Sequence, residues 1–135
     1  MSKFIFKSFN VVSAPKPIGP YSSGVRVNDT LYLSGVIGID AKTDKLVNGG
    51  IISETEQIFK NIEILLKAND SSFNKGLVNA KIYLDDISNA AVVNEIYQKY
   101  IKPPFPARCM VEVTKLPLNA KIEVEVMALI NQCRL

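Results

Sequence analysis

The sequence predicts an α+β fold in which two helices cover one face of a mixed sheet. Three observations lead there. Apolar residues recur at helical spacing in two stretches, about 54–68 and 89–100. Alternating, strand-like stretches lie before, between and after those two. The order is therefore strands, helix, strand, helix, two strands, and no helix is left for the second face of the sheet.

Each element has its own warrant. Phe4 to Phe9 reads as an opening strand, with Phe4, Phe6 and Phe9 as its inward candidates. Ala14-Pro15-Lys16-Pro17-Ile18-Gly19-Pro20 is a rigid, non-helical turn, because three prolines fix φ. Val25 to Val27 and Leu31 to Leu33 read as strands joined at Asn28-Asp29, a hairpin turn. Ser34-Gly35 follows, then an extended Val36 to Ile39, then a polar loop from Asp40 to Gly50. Ser53-Glu54-Thr55-Glu56 has the pattern of a capping box and opens a helix from Glu54 to Ala68. Ile58, Phe59, Ile62, Leu65 and Leu66 share one face of it. Leu77 to Leu84 is the next strand. Asp85 to Ser88 offer caps for a second helix, Asn89 to Tyr100, with Val93, Ile96, Tyr97 and Tyr100 inward. Pro103-Pro104 ends it.

Two strands close the chain, one over 106–113 and one from Ile122 to Ile130. In the first, Arg108, Met110 and Glu112 point one way and Cys109, Val111 and Val113 the other. In the second, Ile122, Val124, Val126 and Ala128 oppose Glu123 and Glu125. Read as neighbours, the two strands put Arg108, Met110 and the glutamates together on the face without helices. Cys109 then turns inward as a small buried hydrophobe. A bare face of mixed apolar and charged side chains predicts a homo-oligomer. An arginine fork there suits a carboxylate, whose two oxygens match its planar donors.

Composition excludes several classes. The 135 residues suffice for one domain, taken as 1–135, with a real core. At 47% hydrophobic residues the chain is not disordered, and a net charge of +3 makes no case for nucleic acid. The sequence contains 0 histidines, which removes Ser-His-Asp and Cys-His nucleophile pairs and histidine zinc sites. Cys109 and Cys133 lack metal-ligand spacing and are expected as reduced cytosolic thiols. No apolar run nears the ~20 residues of a membrane span. The basic, acid-free start of the chain, with Lys3, Lys7, Lys16 and Arg26 before Asp29, leaves an organelle address open beside a cytoplasmic one.

The chain resembles the RidA (YjgF) family of reactive-intermediate imine deaminases. The likeness runs from about Ser13 to Ala128. It is carried by Ala14-Pro15 with Pro17-Ile18-Gly19-Pro20-Tyr21-Ser22, Leu33-Ser34-Gly35, Asn61-Ile62, and Val93-Asn94 with Tyr97. Further on it is carried by Pro106-Ala107-Arg108 with Val111-Glu112-Val113, and by Leu116-Pro117 with Ile122-Glu123-Val124-Glu125. The order and spacing of these pieces are specific, although each alone is weak.

The resemblance implies a chorismate-mutase-like fold, a homotrimer with clefts between subunits, and no metal or cofactor. It also implies hydrolysis of short 2-imino acids, made by pyridoxal-phosphate enzymes, to 2-oxo acids and ammonia. By position, Arg108 matches the arginine that grips the substrate carboxylate, and Glu123 the glutamate beside the hydrolytic water. Tyr21, Ser34, Gly35 and Asn94 match cleft residues. Two positions depart from the pattern. Val36 replaces a common glutamine, and Met110 a common cysteine, whose backbone carbonyl Met110 can still supply. Two other readings stay open: an endoribonuclease or translation inhibitor, and a non-catalytic module that binds small acids or unfolded clients.

Overall fold

A computed structural model of the chain describes residues 3–130. In chain order its elements are β1 (Phe6–Phe9), β2 (Gly24–Val27), β3 (Thr30–Leu33), β4 (Ile39–Asp40), β5 (Lys45–Leu46), α1 (Gly50–Lys67), β6 (Leu77–Leu84), α2 (Ala90–Tyr100), β7 (Ala107–Glu112) and β8 (Ile122–Leu129). Six strands form one sheet in the order β1-β2-β3-β8-β6-β7. Only β6 and β7 are parallel; the other pairs are antiparallel. The two are joined through α2, the long crossover that parallel neighbours require. The polar loop predicted after Ile39 holds a small second sheet, β4 with β5.

Both helices lie on one face, as the period predicts. Ile58, Phe59, Ile62, Leu65 and Leu66 of α1 are buried, with Val93, Ile96 and Tyr97 of α2. They pack against Leu31 and Leu33, Ala80, Ile82 and Leu84, and Ile122, Val124, Val126 and Ala128. Phe59 sits at the helix junction, stacked on Tyr100 at 5.1 Å and edge-on to Tyr97 at 5.9 Å. Glu56 on α1 also joins the helices: its carboxylate accepts from Lys99 Nζ and from the Tyr100 hydroxyl, each at 2.8 Å. Burial and that carboxylate push the Tyr100 phenol up to about 12.

Several local expectations are corrected. The helix α1 begins one turn before Ser53, after Gly49, whose φ of 113° favours glycine. Ser53 makes no capping box. Glu54 is instead buried, and its carboxylate accepts from the Lys121 backbone at 2.8 Å. The opening strand is short, and Phe4 and Phe6 are exposed, because β1 is an edge strand beyond the reach of both helices. The hairpin at Asn28-Asp29 and the whole of β6 stand as predicted, whereas Asp86 caps a short 3-10 turn, Ile87–Asn89, and α2 continues from Asn89 without a side-chain cap of its own. The Asp86 side chain accepts from Ser88 N. Cys133 lies outside the described residues.

Asn61 is a buried polar side chain on α1 with a structural task visible in its bonds. Its amide donates to the Ile39 carbonyl at 2.8 Å and accepts from Gln57 Nε2 at 2.9 Å. It thereby ties the extended 36–39 segment to the helix. Asn61→Ala leaves a buried carbonyl without its donor and is expected to lower unfolding free energy by about 1–3 kcal/mol in urea titrations. Unchanged stability would contradict that task.

Candidate active site

Strand alternation decides where the candidate side chains point, and it corrects the sequence reading. The last two strands are not neighbours, since β6 separates β7 from β8. Register pairs Ala80 with Arg108, Ile82 with Met110 and Leu84 with Glu112. Ala80, Ile82 and Leu84 face the helices, so Arg108, Met110 and Glu112 do too. Glu123 and Glu125 alternate with buried Ile122, Val124 and Val126 and face the open side. Arg108 and the glutamates therefore lie on opposite faces of the sheet. The same alternation turns Cys109 to the open side, where it is exposed, not buried. Tyr32, Lys81, Tyr83, Val111 and Met127 share that side, and no described element covers it.

The candidates fall into two groups. The first gathers at the end of β3. Ser34 is held by its backbone N–H to Ser23 O at 2.9 Å, and its hydroxyl donates to Ser22 O at 2.7 Å. Val36 and Val124 exchange backbone bonds at 2.8 and 2.9 Å, which fixes Gly35 beside β8. A Cβ on Gly35 would lie 2.8 Å from the Glu123 carboxyl carbon, so only glycine admits this carboxylate so close. Tyr21 is tied to its own proline-rich turn, where its hydroxyl accepts from Ile18 N at 3.2 Å. Tyr21, Ser34 and Gly35 line a small cavity of about 50 Å³, together with Ile18, Val36 and Asn61. Burial pushes the Glu123 carboxyl above the ordinary 4.5, and the negative charge of Glu125 adds to it. Among the described residues Glu123 has no hydrogen-bond or ion-pair partner. Glu125 has Lys81 at 3.8 Å.

The second group lies where α2 meets β7. Arg108 Nη1 donates to Asn94 Oδ1 at 2.7 Å, and the guanidinium sits 4.9 Å from the centre of the Tyr97 ring. Arg108 has no carboxylate partner among the described residues. It opens into a cavity of about 330 Å³ lined also by Asn94, Tyr97, Gln98, Phe105 and Pro106. Met110 lies two residues along the same edge strand. Val113 N donates to Leu84 O, so by alternation the main-chain groups of Met110 turn away from β6 toward the free edge. Its carbonyl is available beside Arg108. Gln98 and Phe105 were not singled out from sequence. Phe105 left a signal: a large apolar residue between prolines, just before the arginine, which is 54% exposed in the fold.

Such an arrangement can hold a small anion at Arg108 and polarise a water at Glu123. It cannot do both in one protomer, because the sheet stands between the groups. No cluster of metal-ligating side chains exists among the described residues.

This fold and this divided site define a class: small α+β proteins with a two-helix mixed sheet and polar half-sites at its edge and on its open face. The family model described as endoribonuclease L-PSP matches residues 11–130. The chain belongs to that family, the RidA family. A human relative called 2-iminobutanoate/2-iminopropanoate deaminase is 41% identical over 96% of this chain and 93% of its own. An Arabidopsis thaliana relative, reactive intermediate deaminase A, chloroplastic, is 43% identical over 85% of this chain and 61% of its own. The crystal structure of RidA from the Antarctic bacterium Psychrobacter superposes with a TM-score of 0.88 at 34% identity, covering 92% of this chain and 99% of that one.

A raised carboxyl pKa means that ionised Glu123 costs stability in the folded chain. The cost is absent at pH below the ordinary carboxylate value and grows as pH rises into the raised range. Glu123→Gln is expected to melt above the parent at pH 7 and to lose that advantage by about pH 4. A difference independent of pH would show that the carboxyl is not perturbed in the fold.

Proposed function

We propose that the chain hydrolyses short-chain 2-imino acids to 2-oxo acids and ammonia. The observation that carries this reading is Arg108: a guanidinium bonded to Asn94, without a carboxylate partner among the described residues, opening into a cavity large enough for a small acid. The deaminase names of the relatives support it. With Nη1 committed to Asn94, the remaining donors of the fork face a carboxylate in bidentate fashion. Tyr21 and the Ser34-Gly35 backbone flank the imine, and the Met110 carbonyl orients its nitrogen.

The chemistry asks little of the protein. A protonated imine is already electrophilic at carbon. Water adds to that carbon and gives up a proton, Glu123 orienting the water and accepting the proton. Glu123 returns that proton to the nitrogen of the resulting carbinolamine, the C–N bond breaks, the nitrogen leaves as ammonia, and the hydroxyl gives up its proton to Glu123 as its oxygen becomes the 2-oxo group. A carboxylate whose pKa is raised by burial is a better base than an exposed one, which suits Glu123 to the task. The substrates are the products of pyridoxal-phosphate dehydratases, so the protein works wherever these enzymes do, in the cytoplasm or an organelle.

Arg108 and Glu123 lie on opposite faces, and a working site needs both. The open sheet face of one copy therefore meets the Arg108 edge of another, and a cyclic trimer closes such head-to-tail contacts. The endoribonuclease reading is less specific: it rests on the description of the family model, and a net charge of +3 without histidine adds no electrostatic or acid–base argument for cleaving a phosphodiester.

A coupled assay, in which a threonine dehydratase generates 2-iminobutanoate, tests the reading directly. The parent is expected to accelerate release of 2-oxobutanoate. Arg108→Ala is expected to lose measurable turnover with its fold intact, since about 1.5–3 kcal/mol of anchoring goes together with the orientation of the imine. Arg108→Lys retains charge without the fork and is expected to stay below a tenth of parental kcat/KM, on the order of the loss for one charged pair. Turnover by Arg108→Ala at the parental rate contradicts the assignment.

A further inference from the structure

Arg108 is anchored by more than Asn94. Its carbon centre lies 4.9 Å from the Tyr97 ring centroid, within the range of an attractive cation–π contact. The ring is only 4% exposed, and the edge-on Phe59 ring behind it, 5.9 Å away at 84°, limits its freedom. Phe59 is in turn stacked on Tyr100. A rigid aromatic surface thus underlies a long side chain that would otherwise sample many rotamers. The Tyr97 hydroxyl is buried and has no hydrogen-bond partner among the described residues. A phenol in that position costs stability without returning a bond, so what the ring contributes lies in its face.

We propose that Tyr97 is a positioning residue for Arg108: its ring face, braced by Phe59, fixes the plane of the guanidinium over the cavity so that the fork meets a carboxylate already aimed. Asn94 fixes one corner of the fork, and Tyr97 fixes its tilt. Two constraints on a planar group leave it a single swing, so binding loses less rotamer freedom than with a free arginine. The inference rests on the reading of Arg108 as a carboxylate clamp and adds a residue that acts through it.

The test is calorimetric titration of the full chain with 2-oxobutanoate, the product of the proposed reaction, alongside KM and kcat for 2-iminobutanoate. Tyr97→Leu removes the ring and is expected to weaken 2-oxobutanoate about tenfold and to raise KM more than it lowers kcat. Tyr97→Phe restores the ring face. It is expected to bring affinity back to within about threefold of the parent and to melt no lower, because only an unpartnered hydroxyl is lost. Phe59→Leu perturbs the same aromatic cluster without touching Arg108. It is expected to lower the melting temperature and, by loosening the brace, to weaken 2-oxobutanoate about threefold, clearly less than Tyr97→Leu does. Parental affinity in Tyr97→Leu overturns the proposal, as does equal weakening in Phe59→Leu, which would mark general damage to the core. A parent that deaminates no imine yet shows this pattern on 2-oxobutanoate would end the deaminase reading and keep this one. A parent with no affinity for 2-oxobutanoate ends both.

Discussion

The alternation of side chains along β-strands governs everything else in this molecule. Successive residues of a strand point to opposite faces, and hydrogen-bonded neighbours in register share a face. Buried Ala80, Ile82 and Leu84 thus fix Arg108 on the helix side, and buried Ile122 and Val124 fix Glu123 on the open side. A one-residue slip in either register would expose the core, so neither side chain can change faces cheaply. The cation and the carboxylate of the candidate site are held apart by the same packing that stabilises the fold.

That separation gives the open face its meaning. Tyr32 and Val111 lie there among Lys81, Glu123 and Glu125, without a covering layer in the described chain. Left to water, Glu123 would be an ordinary surface carboxylate. Its half-burial against Gly35, without an ion-pair partner among the described residues, already raises its pKa in one protomer. A second copy laid over that face would desolvate it further and deliver an arginine to it. Assembly and chemistry then become one requirement, and the absence of histidine ceases to be puzzling. An imine needs a held carboxylate and a placed water more than it needs a strong acid–base pair.

Local structure was legible in the sequence wherever a period was strong. The buried faces of both helices, all of β6 and the Asn28-Asp29 hairpin followed from apolar spacing and turn chemistry. Strand order was not legible, because it depends on which strand the chain returns to after α2. The parallel return of β7 to the far side of β6 separated two strands adjacent in sequence. With that, Arg108 faces the helices and Cys109 the open side, the reverse of what direct neighbours would give. Phe4 and Phe6 misled for a related reason: their apolar character says nothing of whether a helix reaches the edge strand. At α1, Ser53 and Glu56 had the spacing of a cap, but the positive φ of Gly49 starts the helix a turn earlier. The candidate site was legible as a set of residues through family likeness. Its division into two half-sites was visible only in the register.

Mixing two inactive variants tests that division most directly. Arg108→Ala and Glu123→Gln chains, unfolded together in equal amounts and refolded, would form mixed oligomers if the proposed assembly holds. If each site takes its arginine from one copy and its glutamate from another, about a quarter of the sites regain both groups and deaminase activity returns to about that fraction of parental. Activity that stays at the level of the separate variants, in oligomers shown to be mixed, would contradict a site shared between copies.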